Sequence, residues 1–219
     1  MKYKRSIAKK KSHFIYIIED HINKNIKEYF ISILIFIVGV VIGVLLINYS
    51  NEETKESISG YINEFVVSIK NKEYEIDSKK LFFKSLFNNL KFAVIIWVAG
   101  SSVIGIPLIY STIGYKGICL GYSISAIIGA LNQPRGIAFA VSSLLAQNII
   151  AIPCMLALSV SSIKMYKAII KNKERANIKM EVYRHAMFSL MMTIGLVMST
   201  VVEVFISTNV TNSIIKNFI

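Results

Sequence analysis

Charged side chains are scarce in this sequence, and so are cysteines. Only 17% of the 219 residues are charged, whereas a soluble domain of this length carries about a quarter. The two cysteines, Cys119 and Cys154, both lie inside apolar runs, so we interpret them as small buried hydrophobes and expect no disulfide. This composition is typical neither of a soluble domain nor of a disulfide-stapled one.

Motifs for catalysis and cofactor binding are also lacking. None of the three histidines, His13, His21 and His185, belongs to an HExxH motif or lies near a cysteine at a zinc-binding spacing. The sequence contains no P-loop, no GxGxxG and no GxSxG pattern. The sequence therefore predicts a protein that is not an enzyme, with no catalytic residue, no cofactor and no metal site.

What the sequence has in excess is apolar residues, which make up 54% of it and are concentrated in long runs. A helix of about 20 residues crosses the roughly 30 Å hydrocarbon core of a membrane, and only helices satisfy their backbone hydrogen bonds there within one segment. The sequence predicts an all-α, polytopic membrane protein of one domain, with amphipathic interfacial helices and about five transmembrane helices, at about residues 30–48, 92–113, 114–131, 136–163 and 186–208.

The basic residues predict the orientation. Residues 1–29 contain eight Lys and Arg and residues 164–185 contain seven, whereas residues 49–91 contain seven basic and seven acidic residues. Basic segments beside membrane spans lie on the cytoplasmic side, so we expect residues 1–29 inside and both residues 49–91 and the C-terminus outside. The net charge is +12, and the basic residues that produce it flank apolar runs and do not line a folded surface. This distribution favours membrane lipids over nucleic acid as partners.

Two segments outside the spans show helical periodicity. One apolar stripe occurs in residues 12–29, which we expect to form a cytoplasmic amphipathic helix. The other occurs in residues 49–91, where Ser50 and Glu53 have the spacing of a capping box. Its apolar positions recur at i, i+3, i+4 and i+7, and they are Ile58, Tyr61, Ile62 and Phe65. Two interpretations stay open for this outer helix: it packs over the bundle, or it docks extracytoplasmic proteins.

Small residues at four-residue spacing predict close helix packing. They occur in two of the predicted spans, as Gly39 and Gly43 in the first and as Gly117, Gly121, Ser125 and Gly129 in the third. Small side chains allow helix backbones to approach each other in lipid, where no hydrophobic gain distinguishes helix contact from lipid contact. We interpret both rows as packing within the chain; self-association into a homo-oligomer, or contact with another membrane protein, is the alternative.

Three polar residues at membrane depth are candidates for function. Glu203 is the only acidic residue in a predicted span, and Arg135 lies at a compatible depth, so we expect an ion pair between them. Asn148 lies near the middle of the fourth span, five residues before Pro153. It either satisfies a backbone carbonyl that the proline leaves unbonded or lines a substrate pathway.

Several short motifs occur in a characteristic order along the chain. They are FNNL at residues 87–90, Gly100 and Gly105, YKGICLG at 115–121, PRGI at 134–137, LAQNIIAIP at 145–153, and Glu203 in the last helix. In this order and spacing, and across nearly the whole length, the sequence resembles the stage II sporulation protein M family of endospore-forming bacteria.

The resemblance implies a function in engulfment. Members of this family are membrane anchors for two extracytoplasmic peptidoglycan-degrading enzymes, one amidase-like and one lytic-transglycosylase-like, which remodel the wall of the sporulation septum. The resemblance thus implies a scaffold whose chemistry belongs to its partners. A permease or the membrane subunit of a transporter is the alternative, and it would be favoured by a water-filled cavity around Asn148.

Overall fold

The computed structural model describes residues 13–71, 77–102, 104–131, 134–171, 175–207, 209–210 and 213–215. All regular structure within these ranges is helical, which confirms the predicted all-α class. The helices are α1 (His13–Lys24), α2 (Ile26–Asn48), α3 (Glu52–Lys70), α4 (Ser78–Ala99), α5 (Gly105–Leu131), α6 (Arg135–Ala140), α7 (Ala146–Lys171) and α8 (Arg175–Val202), with π-helical segments at Val141–Leu145 and Glu203–Ser207.

Five of these helices are long and apolar enough to cross a membrane, in agreement with the predicted number. They are α2, α4, α5, most of α7 (Gln147–Ile170), and α8 with the start of its π-helical extension (Ile178–Phe205). Helix α7 is the most central of the five, since 61% of the residues in its apolar stretch are buried inside the bundle, compared with 22% for α2. The five helices alternate in direction, so the bundle has an α1 end and an α3 end.

The predicted boundaries of the second and third spans were wrong. Helix α4 begins at Ser78, not at residue 92, and ends at Ala99, and α5 begins at Gly105 and not at residue 114. The lysines of the first turns of α4 had been assigned to the outer segment 49–91, and Lys116 had been placed near the start of the third span. Pro107 marks the true start of α5, because a proline in the first turn of a helix removes no helical hydrogen bond.

The fourth and fifth spans also differ from the prediction. The fourth is divided by the π-helical segment into α6 and α7 and extends to Lys171, and α8 begins at Arg175, eleven residues before the predicted residue 186. Basic residues at the ends of both helices had been assigned to a loop by charge. Helices commonly continue past the hydrocarbon, because lysine and arginine extend their charged groups to the interface.

Helix α3 packs over the α3 end of the bundle. Its N-cap is Asn51, whose side chain accepts a hydrogen bond from the Thr54 amide at 3.1 Å; the predicted capping residue Ser50 donates instead to the Leu46 carbonyl at 2.7 Å. The apolar face of α3 contacts residues of α5, α6 and the C-terminal segment: the buried members of this cluster are Val66, Ile69, Leu131, Phe139 and Ile215. This contact fixes α3 on the bundle.

Candidate functional site

Helices α2 and α5 touch backbone to backbone through glycines. A Cβ atom added at Gly43 would lie 2.7 Å from the backbone nitrogen of Tyr122, and one added at Gly121 would overlap the carbonyl of Val40. Gly39 and Gly117 are just as close to the opposite backbone. We call these four glycines the α2–α5 seam; they occupy the seam because any other side chain would push the two helices apart.

Two members of the predicted small-residue row lie outside this seam. A Cβ added at Gly129 would meet no atom within 4 Å, and Ser125 is only partly buried. Both residues line a cavity of about 260 Å³ between α3, α5 and the end of α2, and Ile58 of α3 lies on its opposite wall. The row therefore divides into a packed half and an open half.

Polar side chains meet inside the bundle near its α3 end. The Ser85 hydroxyl of α4 donates a hydrogen bond to the carboxylate of Glu203, and the Gln147 amide of α7 donates to the Ser85 oxygen at 3.0 Å. One turn along α4, Asn89 donates to Thr200 of α8 at 3.1 Å. We call these five residues the Glu203 cluster; they tie α4, α7 and α8 together inside the bundle.

Lys116 brings the opposite charge to the Glu203 cluster. It lies near the middle of α5, with its ammonium nitrogen 5.2 Å from the centre of the Phe92 ring. Its charge and the carboxylate charge of Glu203 attract each other. A charged side chain at membrane depth is costly unless it faces the bundle interior and is paired, so each of these two groups lowers the cost of the other.

The expected ion pair between Arg135 and Glu203 is not present among the described residues. Arg135 is exposed at the start of α6, and a charge that does attract the Glu203 carboxylate is that of Lys116. The prediction rested on equal depth, and depth along a helix does not determine on which side of the helix a residue lies.

Asn148 is buried, with 5% of its surface exposed. Its amide nitrogen donates to the Leu144 carbonyl at 2.6 Å, and its side-chain oxygen has no hydrogen-bond partner among the residues that the structure describes. Leu144 belongs to the π-helical segment, where the regular i to i+4 bonding is interrupted. The amide thus bonds to a carbonyl of that segment, and not to the carbonyl of Ile149, which Pro153 leaves without its usual helical donor.

The two π-helical segments contact each other beside the Glu203 cluster. Glu203 is the first residue of one segment, and the other segment immediately precedes α7, which carries Gln147. An extra residue in a helical turn rotates the side chains that follow it, and such turns are frequent at functional sites. The interruption before α7 therefore contributes to the direction in which Gln147 faces α4.

The predicted docking residues of α3 have different environments. Tyr61 is 74% exposed, whereas Ile62 and Phe65 pack against the buried cluster beneath α3 and Ile58 is half-buried. Of the four predicted anchors, only Tyr61 projects from the surface. It is joined by Val67, which is 51% exposed and which the sequence analysis had not singled out.

Sequence reasoning missed most of the Glu203 cluster. Ser85 and Asn89 had been placed before the second span, so neither was considered a residue at membrane depth, and Lys116, placed near the start of the third span, was not connected with Glu203. The spacing of Ser85, Asn89, Ala93 and Ile96, which line the buried face of α4, was the available signal. Within the part of the chain that the structure describes, no group of three His, Cys, Asp or Glu residues is placed to hold a metal ion.

One of three comparisons with known proteins gives a match. A model of the family described as Stage II sporulation protein M matches residues 32–208, a stretch that contains the α2–α5 seam and the Glu203 cluster. No curated protein and no solved structure matches the chain.

Proposed function

Because the chain belongs to the stage II sporulation protein M family, we propose that it is a non-catalytic membrane anchor for extracytoplasmic peptidoglycan-degrading enzymes. One partner is amidase-like and the other lytic-transglycosylase-like, and together they remodel the septal wall while the mother-cell membrane migrates around the forespore. The observation that carries this proposal is α3, a helix fixed on one end of the bundle that presents an exposed stripe.

The stripe on α3 consists of residues at three-residue spacing. Tyr61 and Val67 are 74% and 51% exposed, and Glu64 lies between them and is also exposed. Val66 and Ile69 on the opposite face are 2% and 5% exposed, so the stripe is held in place before a partner binds. Preorganised anchors lose little conformational entropy on binding, and tyrosine is among the residues that contribute most to protein interfaces.

A scaffold also needs a rigid support beneath its docking surface. The α2–α5 seam and the Glu203 cluster provide it, because both connect spans through contacts that leave little room for sliding. A permease would instead need a polar path through the bundle; Asn148, the residue expected to line it, is 5% exposed and donates to the Leu144 carbonyl, which favours the scaffold as the function to test first.

Truncating the exposed stripe tests the anchor function. We expect Tyr61→Ala combined with Val67→Ser to reduce co-purification of wall-degrading enzymes from sporulating cells at least tenfold and to slow membrane migration, because losing two anchors commonly costs a few kcal/mol. Phe65 is unsuitable for this test, since it packs against the bundle and its truncation would leave a cavity.

The matched control is Tyr183→Ala, which removes a tyrosine of similar exposure, 63%, at the α1 end of the bundle. Membrane levels of all variants are compared by immunoblot. If the double variant recruits the enzymes as well as the unchanged protein does, the α3 stripe is not the docking surface.

The proposed orientation places α3 outside the cell and the α1 end in the cytoplasm. In a background with Cys119 and Cys154 replaced by alanine, we expect Lys79→Cys to react with an impermeant maleimide in intact cells, and Lys179→Cys to react only after permeabilisation. Both lysines are exposed and lie at opposite ends of the bundle. The opposite labelling pattern would place α3 in the cytoplasm and remove the docking proposal.

A further inference from the structure

A cavity of about 690 Å³ lies at the α1 end of the bundle, between α1, α7 and α8. Its volume is in the range of about 300–1,000 Å³ that is usual for small-molecule sites. The cavity is distant from the α3 stripe and from the Glu203 cluster, and the anchor function makes no use of it. Its walls divide into an apolar part and a charged part.

The apolar wall runs along one side of α8. Met187, Leu190 and Ile194 line the cavity and are 53%, 59% and 58% exposed. Their spacing places them on one face of the helix, so the cavity is open sideways along that face. In a membrane-spanning helix such a face meets lipid, and deeper in the cavity the wall continues with Phe188 and Met191.

The charged wall lies at the α1 end of the cavity. Lys24 pairs with Asp20 at 2.7 Å, and Glu181 pairs with both Arg184 at 3.1 Å and Lys164 at 3.6 Å. Three cations therefore face two carboxylates, which leaves one net positive charge. Glu181 is shared by two cations, so neither of them is fully neutralised by a carboxylate of its own.

The histidine of α1 adds no charge to this wall. Burial, reinforced by the positive charge of Lys164, lowers the pKa of His21 to about 4 although Asp20 opposes the shift. The imidazole is held by the Tyr29 hydroxyl at 3.1 Å and by stacking on Phe188, with ring centres 4.1 Å apart. Near pH 7 the net charge of the wall thus comes from its lysines and its arginine.

We propose that this cavity binds one acidic phospholipid, with an acyl chain along Met187, Leu190 and Ile194 and the phosphate beside Lys164 and Arg184. A soluble anion would leave the apolar wall, which opens sideways, without a contact. An uncharged lipid would not neutralise the net positive charge of the other wall. Only a ligand with an anionic head and an apolar tail matches both walls and the direction in which the cavity opens.

The chain contains a built-in reporter for this site. Trp97 is its single tryptophan, and its ring stacks on His185, with centres 6.5 Å apart; His185 lines the cavity. Trp97 is also 45% exposed, so surrounding lipid quenches it equally in the two titrations described below, and the difference between them reports the cavity. Bromine atoms on an acyl chain quench tryptophan fluorescence at short range. The full-length protein is reconstituted in phosphatidylcholine vesicles with increasing fractions of brominated phosphatidylglycerol, and the same titration is made with brominated phosphatidylcholine in unbrominated phosphatidylglycerol.

We expect the brominated acidic lipid to quench Trp97 with at least fivefold preference over the brominated neutral lipid. Each cation contributes about fivefold, so Lys164→Gln combined with Arg184→Gln should abolish this preference. Glu181→Gln should increase the preference, because it releases two cations from their shared carboxylate. A gain in preference is a result that misfolding cannot produce.

The matched control is Lys79→Gln combined with Lys80→Gln, which removes the same charge from exposed positions at the other end of the bundle and should leave the preference unchanged. Equal quenching by both lipids, or a preference that neither cavity variant alters, would overturn the proposal. Complete displacement by soluble glycerol phosphate would also overturn it, since the site would then take a free anion. None of these results bears on enzyme recruitment by α3.

Discussion

Gly121→Leu is expected to separate α2 from α5 and to remove most of the protein from the membrane. A Cβ at this position already overlaps the backbone of Val40, and a backbone, unlike a side chain, cannot rotate away. Overpacking commonly costs about 1–3 kcal/mol and occasionally more; we expect at least about 3 kcal/mol here, which corresponds to a melting temperature in detergent lowered by about 6–12 °C. Steady-state membrane levels should fall severalfold.

Gly129→Leu is the matched control, because it makes the same substitution two helical turns along α5. Nothing lies within 4 Å of a Cβ at Gly129, so the leucine enters the cavity under α3 and the melting temperature should change little. If the two leucine variants prove equally stable, the α2–α5 seam is not a close backbone contact.

Removing the charge of Lys116 should have the second-largest effect. Lys116→Met leaves the carboxylate of Glu203 inside the bundle with its serine and amide hydrogen bonds but without the nearby cation. Losing one member of a fully buried pair costs about 3–5 kcal/mol. Lys116 is only partly buried, so we expect on the order of 2–4 kcal/mol, measured as a lower melting temperature in detergent.

A double-mutant cycle distinguishes this interaction from two independent losses. Glu203→Gln alone should also lower the melting temperature, and combining it with Lys116→Met should cost about 1–3 kcal/mol less than the sum of the single changes. Lys84→Met, an exposed lysine on α4, serves as the control for loss of charge. Strictly additive losses would show that Lys116 and Glu203 do not stabilise each other.

The composition and apolar runs of the sequence determined the class of the fold. Five helices that are long and apolar enough to span, and their order, follow from hydropathy, because the bilayer imposes one length and one kind of secondary structure on every crossing. The four-residue spacing of glycines likewise identified Gly39, Gly43, Gly117 and Gly121 as close-packing residues. A small residue at every fourth position lies on one face of a helix whatever the rest of the fold does.

Only the tertiary structure decided which of these faces meet, and where the charged residues lie. Gly129 repeats the spacing of Gly121 but faces a cavity. Tyr61 belongs to the same apolar periodicity as Ile62 and Phe65, but it projects from the bundle while they pack against it. Lys116 and Glu203 come from helices far apart in the chain, and their approach depends on how α5 and α8 are rotated about their axes. That rotation is set by packing against neighbouring helices, which no pattern within one helix encodes.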